Sequence, residues 1–478
     1  MNYNNSPVFT QRFIANLLVF LIIFSVSGFV SCSKNEMLSS PQYALQFSVE
    51  TIEFDTIFTQ TGSITRTVQI HNPNKGSIMI DAIELARGSE SQYIMNVNGV
   101  PGTLVKNIEL AAHDSMYIFI QALLDENNVD TLVQHLDSIR ISYNSKRESL
   151  PIISWGQDVI KHRGEIRESF TITAGKPHVI LDSLVILEGH TLTIEAGARL
   201  YFHYNANLVI RGSLVVQGTF ENPVSFSSNR IEQTYETLPG QWGSIIFRES
   251  STNNSFEYAE IRNGINGLRI FGNESSPISI SLSNTRIQNM SANCIFAENA
   301  HITASNCVFA DANDYVLALQ GGTYSLSHST ISNQGAIGGR KYVPSVAISD
   351  YSFVNEQSRP LLQVVFTNSI IVGKIQDEIG FYSQNESDIL NVSFHTCLVK
   401  TTIGTSNTQY FTAPIQYDET KNLFRNIYDL DFTLDTLSQA KDKGNIEFAQ
   451  SVPTDFRGES RLADSKPDIG AYEFFTKK

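Results

Sequence analysis

The chain has 478 residues, 41% hydrophobic and 17% charged, with 48 acids against 34 bases and a net charge of −14. That acidity argues against a nucleic-acid partner, whose phosphates need a basic footprint. The 18 Tyr and 29 Phe argue against disorder. Four cysteines without a CxxC pair make neither a disulfide framework nor a zinc signature. Two or three domains are expected from length, with no metal and no cofactor.

Met1 to Arg12 is polar, and Phe13 to Val30 is mostly apolar around Leu17–Phe24. Residues 1–31 read as a signal peptide; the alternative is an uncleaved membrane anchor ending at Cys32. Phe29-Val30-Ser31-Cys32 resembles the lipobox of bacterial lipoproteins, with Phe29 a less usual first residue. The resemblance implies cleavage before Cys32 and its acylation. Each buried CH₂ of the acyl chains would contribute ~0.8 kcal/mol to anchoring. Residues 32–45 then form a lipidated tether, and the membrane is a partner through that lipid. Ser33-Lys34-Asn35-Glu36 resembles the acidic export tag of lipoproteins in the Bacteroides group. Its single acid leaves open whether the outer-membrane protein faces the periplasm or the cell surface.

Residues 46–160 alternate apolar and polar with turn breaks. Phe54, Thr56 and Phe58 alternate, as do Ile64, Val68 and Ile70 before His71-Asn72-Pro73-Asn74-Lys75-Gly76. Tyr93–Val97, Tyr117–Ile120 and Ser138–Tyr143 continue the pattern. About seven short strands predict an immunoglobulin-like β-sandwich. The segments Phe54–Phe58, Ile70–Asn74 and Trp155-Gly156-Gln157 are similar to cysteine-free Ig-like modules of Bacteroides-type surface proteins. Asp55, Asp114 and Asp137 read as turn acids rather than a calcium cluster.

Residues 161–478 repeat. Pairs at i and i+2 occur at Leu184/Ile186, Leu192/Ile194 and Leu200/Phe202. They recur at Leu208/Ile210, Leu214/Val216 and Val224/Phe226, offsets of 24, 22 and 24. Three short strands per turn of that length predict a parallel β-helix. One register runs through Ile261, Ile287, Phe309, Ile331, Ile371 and Val399, and another through Ile280, Ala304, Leu326, Phe366 and Phe394. Both lengthen at the same place, which marks an insertion, Gln334 to Pro344; a second insertion is Ser228 to Gln241.

Ile194–Leu200, Leu208–Leu214, Gln217-Gly218-Thr219 and Trp242-Gly243-Ser244-Ile245 resemble the entry coils of right-handed parallel β-helix proteins. Asp455-Phe456-Arg457-Gly458 and Pro467–Glu473 resemble a terminal motif of such extracellular proteins, read as a C-terminal cap. The whole is therefore expected to be all-β: an N-terminal Ig-like β-sandwich followed by a right-handed parallel β-helix solenoid, a lipoprotein of the Bacteroides type.

The fold spans lyases, hydrolases and adhesins, so function must come from a site. A pectate lyase Arg-x-Pro-x-x-Arg is absent, since Arg359-Pro360 lacks the second arginine. Polygalacturonase strings are absent as well. Asp311, Asp314, Lys374 and Asp377 are weak substitutes and read as turn residues. His301, His328 and His395 read as turn positions rather than metal ligands, with His328 and His395 at nearly the same repeat position. Cys294, Cys307 and Cys397 read as small core residues whose disulfide status the sequence leaves open. Trp242 reads as core. Tyr235, Arg340, Lys341 and Tyr342 lie in the insertions, where packing demands them least. Bases and rings there suit acidic sugars, and replacing residues 334–342 by a short link is expected to preserve the fold. The expected function is non-enzymatic binding or adhesion to a polysaccharide or surface protein. The alternatives are a lyase or glycoside hydrolase acting on an acidic polysaccharide, and a structural envelope component.

Overall fold

A computed structural model describes residues 36–336, 339–385 and 390–475. Cys32 lies outside them. The chain divides into two compact units. One holds the residues up to Asp125 with Val133–Gly156, and the other holds Glu126–Leu132 and everything from Gln157.

The first unit is a β-sandwich. Its strands are β1 (Gln46–Phe47), β2 (Ile52–Phe58), β3 (Arg66–His71), β4 (Ile78–Leu85), β5 (Tyr93–Val97), β6 (Val100–Pro101), β7 (Leu104–Leu110), β8 (Ser115–Ala122), β9 (Val133–Tyr143) and β10 (Lys146–Gln157). They form two five-stranded sheets, in orders β1-β3-β8-β5-β6 and β2-β10-β9-β4-β7, with antiparallel pairing. Alternation places Ile78, Ile80, Ile118, Ile120, Ile139 and Ile141 in one buried core. Two of the additional strands, β1 and β6, have two residues each, too few to show a period. Asp55 lies near Arg66 (3.8 Å), Asp114 accepts from Ser115 N–H, and Asp137 accepts from Ser91 and Ser138. Only Asp114 stands at a turn; Asp55 and Asp137 lie within strands β2 and β9, so the turn reading is corrected for those two. No cluster of three or more metal-ligating side chains occurs among the described residues.

The second unit is a parallel β-helix whose continuous sheet has 26 strands among the described residues, starting at Ile160–Ile166. The first register is observed throughout: Ile261, Ile287, Phe309, Ile331, Ile371 and Val399 pair in succession. All six belong to the apolar core. Two assignments need correction. Leu200 pairs with Phe226, not Val224, and Ala304 pairs with Leu282, not Ile280. Both errors are slips of two residues. Such a slip keeps every side chain on its face, so alternation cannot detect it.

Coils turn at single left-handed residues. Tyr258, Asn284, Asn306, His328, Asn368 and Thr396 have φ between 43° and 53° and share one corner. Asparagine tolerates this conformation because its short amide bonds locally. Asn306 Nδ2 donates to Asn284 Oδ1 at 3.1 Å, and Asn368 Nδ2 meets His328 Nε2 at 3.0 Å. His328 is thus a buried member of a turn ladder, and burial holds its pKa well below the usual value. His395 pairs with Thr367, so it lies one position off the His328 column.

The C-terminal segment is not an end cap. Its hairpin (Phe424–Asn426 with Asp431–Leu434) and its short helix Ile446–Ser451 belong to a segment that covers a flank. Leu423, Phe424, Phe432, Phe456, Ile469 and Tyr472 pack on outward-pointing Val308, Ala310, Ile370, Val372 and Leu398. Ile403 and Tyr410, and not the terminal motif, pack against the core near the last coil. Sequence cannot separate these arrangements, because an apolar residue on an outward face looks like any other strand residue.

Candidate binding surface

Both long insertions emerge from the same corner of the solenoid. One follows the strand Val224–Ser228, the other Thr330–Asn333, and these belong to one strand column. The first lies against a second turn ladder at this corner, left-handed Asn263 and Asn289, which donate to the carbonyls of Glu236 and Thr237 at 2.8 and 2.7 Å. Arg230 stacks on the half-buried Tyr235, 4.2 Å from the ring centre.

The second insertion is anchored more firmly. Arg340 was expected to face solvent, and it does not. Its side chain is 8% exposed and makes a bidentate pair with fully buried Glu378, at 2.9 and 2.5 Å. Arg340 also donates to the carbonyls of Asn333 and Val343. Glu378 further accepts from Ser345 N–H, Ser345 Oγ and Ile375 N–H. Replacing residues 334–342 would leave this carboxylate buried without its cation. Breaking such a pair costs ~3–5 kcal/mol, so the expectation of a preserved fold is corrected. Lys341 is exposed but paired with Asp314 at 2.7 Å. Tyr342 is 84% exposed. With Arg340 consumed and Lys341 matched, the local case for acidic sugars on this loop weakens.

Sequence reasoning missed what lies next to it. After strand Val346–Ser349, residues 350–360 form another insertion carrying Tyr351 and Phe353. Phe353 stacks on Tyr315 (centroids 5.6 Å) and meets Tyr351 (5.7 Å) and Tyr382 (5.3 Å) edge-on. All four residues are half-buried. The floor explains the placement. Ala318, Ala347 and Gly380 are successive partners on an outward face. Ala318 and Ala347 point outward yet are fully buried, so that face is roofed here. A Cβ on Gly380 would lie 2.8 Å from Pro344 and 2.9 Å from the Tyr382 ring. Glycine at 380 therefore makes room for the Tyr382 ring. A row of Ala, Ala and Gly at coil spacing was the available signal.

The insertion at 350–360 is held in place. Phe353 N–H donates to Gln320 at 2.6 Å, Ser352 Oγ donates to Glu298 at 2.8 Å, and Arg359 pairs with Glu298 at 3.3 Å. Asp350 accepts from Ser383 Oγ and Gln384 N–H. The result is a pre-formed aromatic surface with a polar rim and exposed Tyr342 and Val354 beside it.

The candidate acids Asp311, Asp314 and Asp377 each take separate partners. Asp311 stands in the ladder column of Asn263 and Asn289, also left-handed, and is 2% exposed. One of its oxygens accepts from Gly335 N–H at 2.8 Å. Burial pushes its carboxyl up to about 6, partly offset by that N–H and by Lys374 and Arg340. A carboxyl raised by folding favours the fold below its ordinary value and loses that contribution as pH rises through about 6. Asp314 is taken by Lys341, and Asp377 accepts from Thr401 and Thr402. Cys294, Cys307 and Cys397 are free and buried, and burial raises the thiols of Cys307 and Cys397 to about 12. Trp242 is core, stacked on Phe202 at 4.3 Å, with Nε1 donating to Arg262 O.

No protein-family model matches the chain, and no curated protein matches it. Solved structures with partial similarity include a family 123 glycoside hydrolase from Clostridium perfringens (8% identity, TM-score 0.18) and the periplasmic chaperone SfaE (10%, 0.18). Another is the VesB protease of Vibrio cholerae (8%, 0.17). Each alignment covers 24% of this chain, and 26%, 58% and 31% of those chains respectively. Likeness of that extent fixes neither fold nor function for this chain.

Proposed function

We propose that this is a non-enzymatic binding protein of the cell envelope, held at the outer membrane by an acylated Cys32 in the manner of Bacteroides-type lipoproteins. It binds a glycan, or a glycan-bearing surface protein, on the aromatic surface between residues 334–344 and 350–360. The observation carrying this reading is the Tyr315–Tyr351–Phe353–Tyr382 cluster, half-buried, held by the insertion at 350–360 and given room at Gly380. Ring faces match the apolar face of a pyranose, and the polar rim matches its hydroxyls. The paired state of Arg340 and Lys341 favours neutral sugars here.

A glycan array followed by calorimetry on the best ligand tests the binding. Tyr342→Ala and Phe353→Ala should each weaken it about tenfold, equivalent to ~1.4 kcal/mol. Tyr342→Ala should leave the melting temperature unchanged, because that ring is exposed. Parental affinity in both variants would remove the site from this surface. Anchoring is checked separately by labelling cells with a palmitate analogue. Cys32→Ser should abolish incorporation, and equal labelling of the variant rules out acylation at this residue.

A further inference from the structure

A second cleft lies elsewhere on the β-helix unit, between the last coil and the flanking C-terminal segment. Two cavities, of about 770 and 290 Å³, share Lys421 and Asn422 in their walls. Both lie at or near the ~300–1,000 Å³ range of ligand sites. The larger also carries Lys443, Gln439 and Leu437, the smaller Arg425. The walls are fixed before any ligand arrives. Gln439 clamps the backbone of Asp418, accepting its N–H at 3.0 Å and donating to its carbonyl at 2.8 Å. The Asp418 carboxylate caps the turn by accepting from Thr420 N–H and Oγ1. Phe424 is buried while its neighbour Arg425 points to solvent.

The charges are unequal. Glu419 pairs with Lys400, and Asp418 with Lys421 at 3.3 Å. Arg425 and Lys443 have no acidic partner among the described residues. Two uncompensated cations in a cleft, on a chain of net charge −14, focus a local positive potential. Amide side chains offer hydrogen bonds, and Leu437, 80% exposed, offers an apolar contact. A lone inorganic anion would fill little of this volume. We propose that this cleft binds an anionic oligosaccharide, its charge carried by carboxylate or sulfate, at a site separate from the aromatic surface.

Calorimetry on the full mature chain tests it with four probes: a galacturonic acid hexamer, a chondroitin sulfate hexasaccharide, maltohexaose and inorganic sulfate. One of the two anionic oligosaccharides should bind, and which one identifies the charged group. Affinity should fall steeply as salt rises, because exposed ion pairs are screened. Arg425→Gln and Lys443→Gln together should weaken binding at least tenfold without changing the melting temperature, whereas Tyr342→Ala should have no effect. Equal binding of maltohexaose, binding of sulfate alone, no binding of either anionic oligosaccharide, or parental affinity in the double variant would each overturn the proposal. Loss of the anionic ligand in Tyr342→Ala would move it to the aromatic surface, ending this inference while leaving the other reading intact.

Discussion

Phe309→Asp should lower the apparent melting temperature by roughly 10 °C or more, the largest effect expected of a single substitution here. Phe309 is fully buried between Ile287 and Ile331, its neighbours one coil to either side. Removing a buried phenylalanine side chain costs ~3–5 kcal/mol before any charge is considered. The aspartate then adds a carboxylate in an apolar stack with no partner, or a protonated acid without a hydrogen bond. In a solenoid each coil is stabilised by its neighbours, so the damage spreads along the stack. Hydrogen exchange should therefore show lost protection in the strands Arg286–Met290 and Thr330–Asn333 as well as Val308–Ala312. Phe309→Leu, which keeps an apolar side chain, should cost far less. An unchanged melting temperature in the aspartate variant would mean that the inward stack is wrongly assigned.

Arg461→Leu should release the C-terminal flank at a cost of ~3–5 kcal/mol, because it leaves a carboxylate buried without its cation. Arg461 is fully buried. Its guanidinium donates to Glu473 Oε1 at 2.6 Å, to Asn306 Oδ1 at 2.9 Å, and to the carbonyls of Gly470 and Ala471 at 3.0 and 3.2 Å. One side chain thus ties the terminal motif to a turn of the solenoid. Burial lowers the arginine's pKa and raises Glu473 to about 7 despite their attraction, so desolvation is the dominant influence on both. Asp455 completes the knot, accepting from Arg457, Glu459 and Glu473 N–H groups. Limited proteolysis should cut the variant within residues 417–475 first, and a dye for exposed apolar surface should bind where Val308, Ile370 and Leu398 are uncovered. Arg461→Leu with Glu473→Leu should recover part of the loss, since replacing both partners removes the unpaired charge. Equal protease resistance in parent and single variant would show that apolar packing alone holds the flank.

Local residue pattern was enough to specify the two kinds of β architecture and most of the solenoid register. Alternation of period two writes the inward face into residues such as Ile287, Phe309 and Ile331, and repetition at coil length says that those faces stack. It also located two of the long insertions, because stacking constrains strands and leaves turns free to lengthen. What it could not reach depends on which groups meet across coils. The slip of Leu200 onto Phe226 preserves facing and so leaves no mark on alternation. Arg340 reads as a free loop base until Glu378, 38 residues away, is seen to hold it in the interior. Phe353 and Tyr315, also 38 residues apart, become one surface only because Gln320 on a distant strand holds the Phe353 backbone. The terminal motif was visible as a string, but its place on a flank was decided by outward apolar residues such as Val308 and Ile370. Partners in the same cluster lie far along the chain, Tyr472 coming 164 residues after Val308, a separation that local periodicity does not encode.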